Sequence, residues 1–278
     1  MTSPLAGPAS RALTSAKQNA PPAAGRSQEP ARGTYLQSLQ RGVAVLDLIS
    51  QSVPGISARE IADRTGLDPA VAHRILRTLA RDDLVVKTSG RYTPGPRTLL
   101  LGNRYLAQTT LRATALPYQI DLLHRTFAGR PWRVAVLTPA GPTMTLVSEI
   151  WSPTAPLDSL AGILTRPIDQ AASGRCVLAY LPEREVVSLI GEALAAELAP
   201  RFAAIRDADG VDYISAAEHP PGFASGLSLI AGLIRHRDGR PAGGLVVSGP
   251  DLEQHAARES EVACQVLRSA KQTGRMLP

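Results

Sequence analysis

The chain has 278 residues and a mass of 29.4 kDa, enough for one large domain or two ordinary ones, and its 44% apolar content excludes a wholly disordered polymer. The formal net charge of +6 is uneven: +3 over residues 1–34, +5 over 35–112 and −2 over 113–278, which points to a nucleic-acid-binding half joined to a half of another kind. The longest strongly apolar stretch, 226–234, is too short for a bilayer, no apolar leader is evident, and Cys176 and Cys264 are the only cysteines; a membrane partner, secretion and a disulfide framework are therefore not expected, and a cytoplasmic protein is.

Residues 1–34 are rich in Pro, Ala, Ser and Gly with no apolar period, and read as a flexible tail. From there Leu36, Leu39, Val43, Leu46 and Ile49 recur at helical steps and predict a helix with one apolar face, stopped by Pro54-Gly55. A second helix is expected over 57–65. Ser57 and Glu60 have capping-box spacing, Ile56 and Ile61 fit a hydrophobic staple, and Gly66 fits a left-handed C-terminal residue. Asp68 then caps a third helix, 69–81, with Pro69 in its first turn. Val71, Ile75 and Leu79 form one stripe of it; Ala70, Arg74, Arg77 and Arg81 form another, with His73 alongside. Two short helices joined by a tight glycine turn are the signature of a helix-turn-helix, whose second helix enters a major groove. Residues 84–87 and 91–93, around Thr88-Ser89-Gly90, read as a basic hairpin, or wing.

Leu99, Leu100, Leu101, Tyr105, Leu106 and Leu111 predict a broadly apolar linker helix over 97–112. A second copy of the chain or its own domain could cover that surface. Beyond it, a helix over 115–127, strands over 133–138 and 144–150, helices over 173–180 and 182–197, a hairpin of 227–235 and 243–247 around Asp238-Gly239, and a last helix over 251–273 describe an α+β domain with an antiparallel sheet.

Catalytic and metal motifs are not evident. Gly222-Phe223-Ala224-Ser225-Gly226 has its serine one position late for a nucleophile elbow. The five histidines lack metal spacing, and Cys176 sits in an apolar helix and reads as core. Glu183/Glu185 and Glu259/Glu261 read as solvated charge. No enzyme activity, cofactor or metal is expected.

Several fragments in order resemble the IclR family of bacterial transcription regulators. They are Ser38-Leu39-Gln40-Arg41-Gly42, Ile61 to Leu67 (IADRTGL), His73 to Leu79 (HRILRTL), Arg91 to Arg97 (RYTPGPR), Ala172 to Glu183 (ASGRCVLAYLPE), Asp238-Gly239-Arg240 and Val247-Ser248-Gly249-Pro250. The resemblance implies a winged helix-turn-helix at 35–96, a linker helix at 97–112 and a GAF/PAS-like α+β effector domain at 113–278. It implies a homodimer or tetramer that binds a double-stranded operator and a small organic effector. Base-edge candidates are Ala70, His73, Arg74 and Arg77; phosphate or minor-groove candidates are Arg59, Arg64, Arg91 and Tyr92. The effector candidates carried over from the resemblance are Asp169, Ala172, Ser173, Leu229, Ile230, Val246 and Ser248, with Glu218 as a further one. Where many relatives have His, Cys and Ser, this chain has Asp169, Leu229 and Val246, which implies a larger or more apolar effector. Arg175 replaces a lysine, a change of little evident consequence if the position is at the surface. Alternatives are a ligand-blind DNA-binding protein whose second half only oligomerises, and an enzyme with a winged helix used for assembly.

Overall fold

The computed structural model describes residues 35–155, 165–218, 227–255 and 260–278. The expected tail at 1–34 and the Gly222–Gly226 motif fall outside them. The chain divides into two compact units, the first ending at Leu99 and the second beginning at Leu100.

In the first unit, α1 (Gln37–Ser50), α2 (Ala58–Thr65) and α3 (Pro69–Arg81) pack with a small antiparallel sheet of β1 (Ile56–Ser57), β2 (Val85–Thr88) and β3 (Arg91–Pro94), ordered β1-β3-β2. Its core is Val45, Ile49, Ile56, Ile61, Leu76, Val85 and Tyr92. The staple pair, Ile56 and Ile61, is thus buried as its spacing requires. β1 adds a third strand to the expected two-stranded wing, through Ile56↔Tyr92 and Ser57↔Arg91. The expected stripe of α1 is only partly a core face. Ile49 is buried, whereas Leu36, Leu39 and Val43 are 74%, 63% and 51% exposed. In α3 the fully buried positions are Ala72 and Leu76, and Val71, Ile75 and Leu79 are half-buried. Period alone locates an apolar face without saying what covers it.

Helix α4 (Pro96–Gln108) ends short of the expected residue 112 and has no buried residue; Leu99, Leu100, Leu101 and Tyr105 are all exposed. Helix α5 (Thr110–Asp121) starts five residues before the expected Ala115 and continues as a π-helical turn, Leu122–Thr126.

The second unit is built on a six-stranded antiparallel sheet: β4 (Arg133–Ala140), β5 (Thr143–Trp151), β6 (Thr165–Pro167), β7 (Val211–Ile214), β8 (Ser228–Arg235) and β9 (Pro241–Gly249), in the order β6-β5-β4-β9-β8-β7. Helix α6 (Ala172–Leu178), α7 (Glu183–Ile190), α8 (Glu192–Asp207) and α9 (Glu261–Met276) complete it. Side chains alternate along strands, so each strand feeds two cores. Val134, Val136, Ile230, Ile234, Leu245 and Val247 pack with α5 and α9 residues such as Val262 and Val266. Ala135, Leu137, Met144, Ala231, Leu233 and Val246 pack instead with Cys176 and Val177 of α6 and with Phe202 and Ile205 of α8.

Two further expectations change, and two strands are added. The helix expected over 182–197 breaks at Gly191 (φ 82°, ψ 159°), giving α7 and α8. The last helix is a short 3-10 turn, Leu252–His255, followed by α9 from Glu261. β6 and β7 were not legible as strands: one is three residues long with a proline, and the other carries Asp212 in a buried position.

Candidate functional site

The first site is the exposed side of α2 and α3. The Ser57 hydroxyl accepts from Glu60 N at 3.2 Å, and the Glu60 carboxylate accepts from Ser57 N at 2.8 Å. Both bonds of the capping box are present, so two helix-end donors are satisfied. These bonds from Ser57 hold the Glu60 carboxyl below its ordinary value. Gly66 closes α2 in the left-handed conformation (φ 67°), and the Asp68 carboxylate accepts from Ala70 N at 2.8 Å at the start of α3. The turn is therefore fixed from both sides.

On α3, Ala70, His73, Arg74 and Arg77 are all exposed at i, i+3, i+4 and i+7, and so share one face; Arg81 extends it. Arg59 is 92% exposed at its side chain, with a loose ion pair to Asp63 at 4.0 Å, and Arg64 is exposed in the last turn of α2. The wing differs from expectation. Tyr92 is 6% exposed and belongs to the core, so its expected phosphate contact is corrected: Tyr92 faces inward, as its register opposite Ile56 demands. Lys87 lies above that ring, 5.6 Å from its centre. Arg91 is turned back on its own unit. Its Nε and Nη2 donate to Gly55 O at 3.1 and 2.8 Å, and Glu60 lies 3.6 Å away.

The second site is the α6 side of the large sheet. Ala172 and Ser173 are buried at the start of α6, and Asp169 is half-buried before it. A Cβ on Gly174 would lie 2.0 Å from Ile168 O, so only glycine lets α6 start this close to the preceding loop. Val246 and Leu229 pack on this side. Ser248 shares it by parity, and its hydroxyl accepts from Arg133 Nε at 2.5 Å. Ile230 is a correction: it follows Leu229 directly in a strand, so it points to the opposite face and packs in the α9 core. Glu218 is exposed and accepts from Ser215 N within its own turn. Cys176 is fully buried and burial pushes its thiol well up, as fits a core residue.

Sequence reading missed the charged groups on this side. Arg133 of β4 is 3% exposed, 3.6 Å from Glu149 and 5.1 Å from the centre of the Trp151 ring. Burial raises the Glu149 carboxyl, partly opposed by Arg133. Arg166 of β6 is 6% exposed, and desolvation, then the cations Arg175 and Arg133, push its guanidinium down to about 10. Arg175 is 9% exposed, not at the surface. Its Nε donates to Asp212 at 2.7 Å, and Arg201 holds the other Asp212 oxygen at 2.7 Å. Among the described residues no cluster of His, Cys, Asp and Glu could hold a metal, and no helix is long and apolar enough to cross a membrane.

Residues 38–89 match the model of the IclR helix-turn-helix domain. Over 86% of this chain and 94% of its own length, the glycerol operon regulatory protein of Streptomyces coelicolor is 28% identical. In fold, the chain is similar to an IclR family transcriptional regulator from Brucella abortus (TM-score 0.71, 20% identity, 91% of this chain and 97% of that one). It is also similar to an IclR homologue from Microbacterium hydrocarbonoxydans crystallised with 4-hydroxybenzoate (TM-score 0.58, 20% identity, 85% and 97%). Such relatives are transcription regulators and not enzymes. The capped helix-turn-helix at 38–89 is thus of the IclR type, and along most of its length the chain is similar to transcription regulators of that family.

Proposed function

We propose that the protein recognises a pseudo-palindromic operator as a homodimer or tetramer and changes its DNA affinity when the second unit binds a small metabolite. The observation that carries this reading is the exposed face of Ala70, His73, Arg74 and Arg77 on a helix whose start is fixed by Asp68 and whose partner helix carries a complete capping box. A rigid helix with cations on its open face suits a major groove, with Arg74 and Arg77 at base edges and Arg59, Arg64 and the wing's Lys87 at phosphates. Residues 35–96 serve DNA binding, 97–112 link, and 113–278 sense the effector and oligomerise, in a cytoplasmic protein associated with the nucleoid. The exposed leucines of α4 offer a second copy an apolar surface. The sensing role draws on the buried polar groups around Ser173 and Ser248 and on the ligand seen in the Microbacterium homologue.

Titration of a bound genomic fragment by sedimentation and fluorescence anisotropy tests this. Two protomers per inverted repeat, with an affinity shifted by a small-molecule extract, are expected. One protomer per site, or an affinity that no extract changes, would contradict the respective half of the reading.

A further inference from the structure

Resting on the reading that the wing's Lys87 touches a DNA phosphate, we propose that Arg91 is a positioning residue: it locks the wing onto the start of α2 and so sets where Lys87 stands, and does not itself contact DNA. The hairpin of β2 and β3 pairs over four residues, yet it joins β1 through two pairs only, Ile56↔Tyr92 and Ser57↔Arg91. A two-stranded hairpin is marginal on its own. Two side chains of β3 supplement that short ladder, one from each face of the strand. Tyr92 is buried in the core of the first unit. Arg91 reaches back across β1: its Nε and Nη2 both donate to Gly55 O, at 3.1 and 2.8 Å, and its Nη2 lies 3.6 Å from Glu60 Oε2. The same Glu60 oxygen accepts from Ser57 N at 2.8 Å, so one carboxylate completes the capping box of α2 and receives the wing. Gly55 permits the close approach. Its φ is 126°, and a Cβ there would meet Thr93 Cγ2 and Tyr92 O at 3.0 Å. A guanidinium with two donors on one carbonyl and a carboxylate beside it is committed to its own unit, and its planar fork makes the link directional. Lys87 pairs with Tyr92, the residue after Arg91, and lies above its ring. A shift of β3 on β1 therefore carries Lys87 with it. Because the turn at Gly66 and Asp68 joins α2 to α3, the lock makes the wing and the exposed face of α3 one rigid reader.

The test titrates full-length variants against a labelled random-sequence duplex by fluorescence anisotropy across a salt series, because the slope of log affinity against log salt counts phosphate contacts. Arg91→Lys keeps the charge and loses the fork. The lock predicts that its slope is shallower than wild type by about 1, as for Lys87→Ala, with an unchanged circular dichroism spectrum; between about 50 and 200 mM salt that is a three- to fourfold smaller loss of affinity. Arg91→Lys/Lys87→Ala should be no shallower than either single variant, since both remove the same contact. A further drop of about 1 in the double variant would mean independent contacts and overturns the lock. A wild-type slope in Arg91→Lys also overturns it: a phosphate contact would survive in lysine, and a merely stabilising role would lower the denaturation midpoint and leave the slope alone. If Lys87→Ala is shallower and Arg91→Lys is not, the wing reading stands and the lock falls. If Lys87→Ala itself keeps the wild-type slope, both fall.

Discussion

Asp212→Asn removes one negative charge from a place where two guanidiniums meet. Asp212 is 4% exposed and accepts from Arg175 and Arg201, each at 2.7 Å. A charge-assisted bond is worth about 1.5–3 kcal/mol. The Arg201 side chain is 37% exposed, so its share is screened to about 1 kcal/mol or less. Arg175 stays buried and loses its counter-ion, which brings the total to about 3–5 kcal/mol. For a unit of this size that is a fall of roughly 6–20 °C in Tm. Differential scanning calorimetry with urea denaturation reads it. The double change Arg175→Met with Asp212→Leu should cost less than Asp212→Asn alone, because no uncompensated buried arginine is left at position 175. A single variant within about 0.5 kcal/mol of wild type would refute the view that this ion triad fastens α6 and α8 to β7.

Arg74→Ala is expected to cost roughly 1–3 kcal/mol of operator binding and relax preference at one base position, whereas Arg59→Ala should weaken all sequences alike and lower the salt slope by about 1; anisotropy across a salt series separates the two. Tyr92→Ala should destabilise the first unit by about 3–5 kcal/mol, as an aromatic core residue does, measured by denaturation. Glu149 is raised from an ordinary 4.5 by burial, so the native state holds its proton to higher pH than the unfolded chain. Its contribution is complete below the unfolded value and declines as pH rises through the folded one. Stability curves at about pH 4 and about pH 7 should therefore show Glu149→Gln gaining on wild type at the higher pH.

The exposed face of α2 and α3 was legible because its signals are local. Ser57 with Glu60, Gly66, and Asp68 with Pro69 act within three residues of one another, and the structure realises each. Tyr92 was misplaced because a four-residue strand next to a turn offers two faces and no local sign of which is covered; the answer lies in Ile56, far back in the chain. Leu36, Leu39 and Val43 show the reverse problem, an apolar face that the chain's own first unit leaves open. The buried arginines of the second unit were illegible for a third reason. An arginine in a strand reads as solvent-facing, and the partners that bury Arg133 and Arg175 stand 115 and 37 residues away. Leu229 and Ile230 could not both face the α6 side, since neighbours in a strand face opposite ways.

Recovery of genomic fragments bound by the purified protein, compared with the Arg74→Ala/Arg77→Ala variant, tests the central claim most directly. Wild type should enrich an inverted repeat with half-sites about one helical turn apart, roughly 10–10.5 bp centre to centre or a multiple of it, and the variant should lose that enrichment while keeping its fold. Absence of an inverted repeat, or equal enrichment by the variant, would contradict recognition through the exposed face of α3.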